Sequence, residues 1–306
     1  MSGAAGSGEA PGVAGVRESA GAAVVPGTVA GSQAAGAVRG VVGGLPAGAA
    51  SGVVGGLPGG VVARVPDCGR AGGVVACGRG GDVAGGLSAD VPTLILFTRV
   101  PKAGQAKTRL IPALGEQGAA EFQWRLLAGL LAELCKGSEL GLWRLRVYYC
   151  GTEGLDRLRA MAGEGVVFAE QADDPDLGVR MRAALERELG AGAPAVGLMG
   201  SDLPEATTGV VAEALGLLGD PAVDVSLCPV EDGGYWFVGL KRPFPQLFEG
   251  TTYGGTSVFE DALAACAEHG RPVATGPCLR DVDTPEDLAW LEGWSAGAGA
   301  RTAPAV

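Results

Sequence analysis

From residue 91 onward the chain alternates short apolar runs with amphipathic stretches. Thr93–Thr98 (TLILFT) is a continuous apolar run, the pattern of a strand covered on both faces of a parallel sheet. Glu116–Cys135 then places Phe122, Leu126, Leu127, Leu130, Leu131 and Leu134 on one face at helical spacing. The same alternation continues down the chain. Strands are expected at Leu145–Cys150, Val166–Ala169, Ala195–Met199, Val223–Cys228 and Tyr235–Leu240, and helices at Leu155–Ala162, Leu177–Leu189, Glu205–Leu218 and Thr256–Glu268. A last helix opens at Thr284, a good N-cap, with Pro285 at its first position and Asp287 where a capping box wants an acid. Strands separated by helices predict an α/β domain: an open, mostly parallel sheet flanked by helices on both faces.

The first 90 residues break this pattern. They hold 26 of the 55 glycines, no lysine and no Phe, Tyr or Trp, and VVGGLP occurs twice, at Val41–Pro46 and Val53–Pro58. Without aromatic and long aliphatic side chains, burial cannot offset chain entropy, so residues 1–90 are expected to be a disordered, low-complexity segment. They are either a real tail or the product of a start site assigned too far upstream. The domain proper is expected over 91–294, followed by a disordered tail at 295–306. The uncharged stretch from Ser19 to Val38 is interrupted by Pro26 and several glycines, so neither a signal peptide nor a membrane span is expected.

Charge narrows the function. The first 90 residues carry five basic and five acidic side chains, so the whole net charge of −11 falls on the rest. An acidic body argues against nucleic-acid binding, which relies on Lys and Arg neutralising phosphates. A single histidine, His269, argues against a His-based zinc site and a Ser-His-Asp triad. Seven scattered cysteines without a CxxC pair read as reduced thiols, and so as a cytoplasmic protein.

In an open α/β sheet, ligands bind at the carboxyl ends of the strands. The first strand runs into a loop with four basic residues, Arg99, Lys102, Lys107 and Arg109, in an otherwise acidic protein. With the turn at Pro101 and Gly104, the backbone amides, Lys107 and Arg109 would cradle a di- or triphosphate. The spacing is neither a Walker A loop nor a GxGxxG turn, which sets aside a P-loop ATPase and a dinucleotide enzyme. Ala195–Met199 ends in Gly200-Ser201-Asp202, where Asp202 is either a ligand for Mg²⁺ or Mn²⁺ or a helix cap. Glu231-Asp232-Gly233-Gly234 reads as a hairpin turn that exposes two carboxylates, either of which would serve as a general base. Asp281 and Asp283, just before the capped helix, are a second acid pair on the metal side, or simple capping residues. Tyr235 and Trp236, beside the turn, are placed to line the site.

Taken together, FTRVPKAGQAKTRLIPALG, DLGVRM, GSDLP, EDGGYWFVGL, FEGTTYGGTSVFEDAL and RDVDTPEDL resemble the DUF2064 family of GT-A-type transferases, in order, over about Pro92–Glu292. That family is also called the transferase-1 group associated with radical-SAM and selenium-domain gene sets, and includes arsenosugar-biosynthesis glycosyltransferases. The resemblance implies a nucleotide-diphospho-sugar transferase fold, shared with 2-phospholactate and molybdenum-cofactor guanylyltransferases. It implies that the loop from Arg99 to Arg109 holds nucleotide phosphates, that Asp202 and Asp283 hold Mg²⁺ or Mn²⁺, and that Glu231 and Asp232 face the acceptor. Asp176 and Arg180, in DLGVRM, would touch the nucleotide or order the loop above it. TTYGGTS departs from the Trp-Gly or Trp-Ser variants of its relatives. The expected activity is sugar transfer from a nucleoside-diphosphate sugar to a small acceptor. The alternatives are nucleotidyl transfer from a nucleoside triphosphate with pyrophosphate release, and a non-catalytic nucleotide-binding regulatory partner.

Overall fold

The computed structural model describes residues 90–297. All but the last residue of the expected low-complexity segment, and all but the first three residues of the expected tail, lie outside these residues. The strands are β1 (Thr93–Arg99), β2 (Arg144–Cys150), β3 (Val167–Glu170), β4 (Val196–Met199), β5 (Val225–Pro229), β6 (Tyr235–Leu240) and β7 (Val273–Thr275). The helices are α1 (Ile111–Glu139), α2 (Leu155–Ala162), α3 (Leu177–Gly190), α4 (Thr208–Gly216), α5 (Val258–Glu268) and α6 (Pro285–Gly297). The strands form one sheet in the order β3-β2-β1-β4-β6-β5-β7. Neighbours pair in parallel from β3 to β4 and again between β5 and β7, while β6 runs antiparallel to both β4 and β5. This is the mostly parallel α/β sheet that the sequence predicts.

Period-two alternation in β1 builds two cores at once. Leu94 and Leu96 pack on one face with Leu127, Leu131 and Leu134 of α1 and Leu158 of α2. Ile95 and Phe97 pack on the other with Met181 and Leu185 of α3 and Phe259 of α5. A smaller cluster joins Leu110, Phe122 and Leu126 to Val282, Leu288 and Leu291, and so ties α1 to α6. No helix among the described residues is long and apolar enough to cross a membrane.

Several boundaries differ from the sequence expectation for local reasons. Helix α1 begins at Ile111 rather than Glu116, because one turn precedes a break at Gly115, whose φ of 71° and ψ of 167° are not helical. Helix α6 continues to Gly297, three residues into the expected tail. Strand β7 was not expected: its three residues sit between Pro272 and Gly276 and are too short to carry a period.

The order of the strands makes the crevice. The chain moves outward from β1 through β2 to β3, then crosses back to add β4 on the other side of β1, so the carboxyl ends of β1 and β4 flank the topological switch point. The β5–β6 connection supplies a third wall. Val230 donates to the Gly234 carbonyl at 3.1 Å and Gly233 donates to Val230 at 3.2 Å, closing a tight turn over Glu231–Gly234. The Gly233 carbonyl accepts from Phe259 at 2.9 Å, which docks the turn on the start of α5. Gly233 has a φ of +94°, and a Cβ there would run into the Thr256 carbonyl. Gly233→Ala is therefore expected to destabilise the fold by at least about 2 kcal/mol, combining backbone strain with a backbone clash. A lowered urea midpoint at unchanged m-value would report it, and an unchanged midpoint would show that the turn is not held as described.

Candidate active site

The loop after β1 is shaped by its backbone. Gln105 and Ala106 donate to the Lys102 carbonyl at 3.0 and 2.9 Å, and Leu110 donates to the Lys107 carbonyl at 2.8 Å. Leu110 is fully buried in the α1–α6 cluster and anchors the loop's far end. Lys107 itself is left-handed, with φ 47° and ψ 50°, a conformation that costs an ordinary residue about 1–2 kcal/mol. That backbone sends the side chain inward, where only 5% of it is exposed. Its Nζ lies 2.6 Å from Asp283 Oδ1 and 3.0 Å from Asp202 Oδ2. Burial alone would lower the Lys107 pKa, but the two carboxylates outweigh it and hold the pKa above the usual lysine value. The ammonium is therefore charged throughout the neutral range.

Each carboxylate is fixed from behind. Asp202 follows β4, and its Oδ1 accepts from Gln123 Nε2 at 2.7 Å and from Ser201 Oγ at 3.3 Å. Its carbonyl accepts from Val282 at 3.1 Å, which joins the tip of β4 to the segment carrying Asp281 and Asp283. That segment continues the sheet beyond β5, where Leu279 donates to Pro229 and Glu231 donates to Leu279, both at 3.1 Å. Asp287 closes the other end, its Oδ2 accepting from Asp283 N, Thr284 N and Thr284 Oγ1 at 3.0, 2.8 and 2.8 Å. Its Oδ1 receives Arg280 Nη2 at 2.7 Å. Burial would raise the Asp287 pKa, but the Arg280 guanidinium and these hydrogen bonds hold it below the usual range.

Lys107, Gln123, Ser201, Asp202 and Asp283 border a cavity of about 590 Å³ at the carboxyl ends of β1 and β4, a size suited to a nucleotide-scale ligand. On the side toward α3, Arg180 Nη1 donates to Gln171 Oε1 at 2.8 Å, while the Gln171 amide donates to the Thr98 and Tyr148 carbonyls at 2.9 and 3.1 Å. Toward α5, Tyr235 and Tyr253 meet hydroxyl to hydroxyl at 3.3 Å. Asp281, Asp232 and Asp283 crowd one end. Burial first, and then the Asp283 and Asp232 charges, push the Asp281 carboxyl up to about 6.

A family model described as an uncharacterized protein conserved in bacteria (DUF2064) matches residues 134–255. The crystal structure of a candidate nucleotide-diphospho-sugar transferase from Desulfovibrio desulfuricans G20 is 30% identical, with a TM-score of 0.60, over 68% of this chain and 90% of that one. The chain belongs to the DUF2064 family. More distant is CMP:2-keto-3-deoxy-manno-octonic acid synthetase complexed with CTP, 11% identical with a TM-score of 0.45 over 69% of this chain and 100% of that one. Rv0371c from Mycobacterium tuberculosis H37Rv is 19% identical with a TM-score of 0.39, over 65% of this chain and 97% of that one. These two likenesses are too slight to carry an argument about function. None of the curated proteins compared with the chain matches it.

In this DUF2064 protein the residues singled out from the sequence fall into two groups. Arg99, Lys107, Arg109, Arg180, Asp202, Asp232 and Asp283 all line the one cavity. Lys102, Asp176 and Glu231 are not among its lining residues. Lys102 pairs with Glu153 at the surface. Asp176 caps α3, accepting from Gly178 and Val179 at 2.7 and 3.2 Å. Glu231 lies 3.7 Å from Arg280, whereas its neighbour Asp232 lines the cavity. Tyr235 lines the cavity, whereas Trp236 is buried and its indole donates to the Pro277 carbonyl at 2.9 Å. Sequence reasoning missed Gln123, Gln171 and Tyr253. Gln123 left one trace: an amide inside the apolar stripe of α1, between Phe122 and Leu126.

The raised pKa of Asp281 has a consequence for stability. Its carboxyl ionises near 4 in an unfolded chain and near 6 in the fold, so ionisation opposes folding above that window and costs nothing below it. In metal-free buffer, Asp281→Asn is expected to stabilise the protein at pH 8 by about 1–2 kcal/mol, allowing for partial exposure, and to have no effect at pH 4. Urea denaturation at the two pH values tests this. A loss of stability at both would mean that the carboxylate holds structure instead.

Proposed function

We propose that this DUF2064 protein is a metal-dependent glycosyltransferase that moves a sugar from a nucleoside-diphosphate sugar to a small acceptor. The observation that carries the reading is the one cavity in which Arg99 and Arg109 stand against the Asp202–Asp283 pair at the switch point of the sheet. The relative from Desulfovibrio desulfuricans, described as a candidate nucleotide-diphospho-sugar transferase, supports the same class of donor.

The donor chemistry suits Mg²⁺ or Mn²⁺. Asp202 Oδ2 and Asp283 Oδ1 already converge on one cation, the Lys107 ammonium, and two carboxylates are what Mg²⁺ commonly takes from a protein beside substrate phosphates. Among the described residues, no set of three or more His, Cys, Asp or Glu side chains is arranged to hold a metal. The remaining ligands would be phosphate oxygens and water. When bound, the ion supplies charge neutralisation for the departing diphosphate. Arg99 and Arg109 hold the phosphates against the sheet. Asp232, with its Oδ1 fixed by the Gly234 amide at 3.0 Å, takes the proton from the acceptor hydroxyl.

The test is differential scanning fluorimetry of the full chain with Mn²⁺ and a panel of UDP-, GDP-, CDP- and dTDP-sugars set beside the four nucleoside triphosphates. One nucleotide sugar at about 100 times its dissociation constant is expected to add about 2.7 kcal/mol of stability, and Asp202→Asn is expected to lose that gain. Turnover should release the nucleoside diphosphate. Stabilisation by a triphosphate alone, with pyrophosphate released, would replace glycosyl by nucleotidyl transfer. A bound nucleotide sugar with no turnover on any acceptor would leave a regulatory nucleotide-binding protein, and no shift with any ligand would overturn all three.

A further inference from the structure

The cation between Asp202 and Asp283 is the protein's own. Lys107 Nζ is within 3.0 Å of an oxygen from each, and 5% of the Lys107 side chain is exposed. The other oxygen of Asp202 is engaged by Gln123 and Ser201, so the one facing the ammonium is the one left for an incoming ion. Lys107 is not loosely placed. Its backbone is pinned by the Leu110 amide, and Leu110 is fully buried. The flexible part is the four-carbon stem, which lets the ammonium move while the backbone stays.

We propose that the Lys107 ammonium and a divalent ion are alternative occupants of the Asp202–Asp283 pair, so that the ion enters only with a phosphorylated ligand that draws Lys107 away. The proposal rests on the reading above that this pair holds an ion. Two observations support the order. An ion that arrived alone would meet a positive charge already in contact with both carboxylates, and among the described residues no third acid, histidine or cysteine is arranged with that pair to hold it. A phosphate group removes both obstacles: its oxygens accept the ammonium and complete the ion's shell. Arg99 and Arg109 border the same cavity and bring the phosphate to Lys107. Metal and donor then bind as one unit, and the empty site is protected from adventitious divalent ions.

Equilibrium dialysis of the full chain against Mn²⁺, with and without inorganic pyrophosphate, tests this without any turnover. The wild type is expected to retain Mn²⁺ at least tenfold more weakly alone than with pyrophosphate. Lys107→Met is expected to retain it without pyrophosphate, at least tenfold more tightly than the wild type does. Adding Asp202→Asn to Lys107→Met should abolish that retention. Should Lys107→Met fail to fold, the wild-type comparison with and without pyrophosphate decides alone. Tight Mn²⁺ binding by the wild type in the absence of pyrophosphate would overturn the exclusion and leave the metal-dependent reading intact. No retention by any form, even with pyrophosphate, would overturn that reading together with this one.

Discussion

The structure around the cavity depends on one shared charge. Lys107 reaches from the loop after β1 to Asp202 at the tip of β4 and Asp283 ahead of α6, three segments far apart in sequence. Burying an ammonium is costly unless its protons are taken up by charged acceptors, and a buried pair that loses one partner leaves a charge with no compensation. The surrounding residues meet that condition in turn. Gln123 and Ser201 occupy the back of Asp202, Asp287 holds the backbone of Asp283, and Val282 bonds to the Asp202 carbonyl. The left-handed backbone of Lys107 is tolerated because these contacts over-determine where its side chain goes.

The sheet topology explains why such a cluster forms here. A parallel sheet whose strand order reverses beside β1 leaves an open cleft above β1 and β4, and loops from both strands must pass its mouth. Inserting β6 between β4 and β5 turns the Glu231–Gly234 connection toward the same end. The bonds from Pro229 and Glu231 to Leu279 then carry the following segment across, and Asp281 and Asp283 arrive opposite Asp202. The acids therefore come together through backbone hydrogen bonding rather than through any attraction among themselves.

The fold was largely legible because its signals are local. The apolar runs at β1, β4 and β6 and the helical stripe of α1 each reflect burial within a few residues of the pattern. The site was legible only in part, because residue type and strand-end position say which side chains can reach a ligand but not which way each one turns. Asp232 and Glu231 are neighbours, yet the turn sends one to the cavity and the other to Arg280. Asp176 faced two demands, ligand contact and helix capping, and its carboxylate caps α3. Gln171 and Gln123 escaped notice for a different reason. Their bonds to Thr98 and to Asp202 cross more than seventy residues of sequence, and a lone amide carries no spacing to mark it.

The distribution of charge gives the cavity a direction. The protein carries a net −11, a field that repels phosphate at long range. The lining, however, includes Arg99, Lys107, Arg109 and Arg180 against Asp202, Asp232, Asp281 and Asp283, so by count it is neutral. The two signs meet at Lys107, which contacts both Asp202 and Asp283. Arg99 ends β1 and Lys107 and Arg109 follow it, while Asp232, Asp281 and Asp283 stand closely enough to raise the Asp281 pKa. Like charges held together oppose folding, so the acidic end is a stability cost retained by the surrounding hydrogen bonds. Lys107 sits at the join between the two ends and is bound by acids in the free protein. Whatever draws its ammonium toward the basic loop also exposes the carboxylates, and this makes the arrival of a phosphate and the opening of the acid pair a single event.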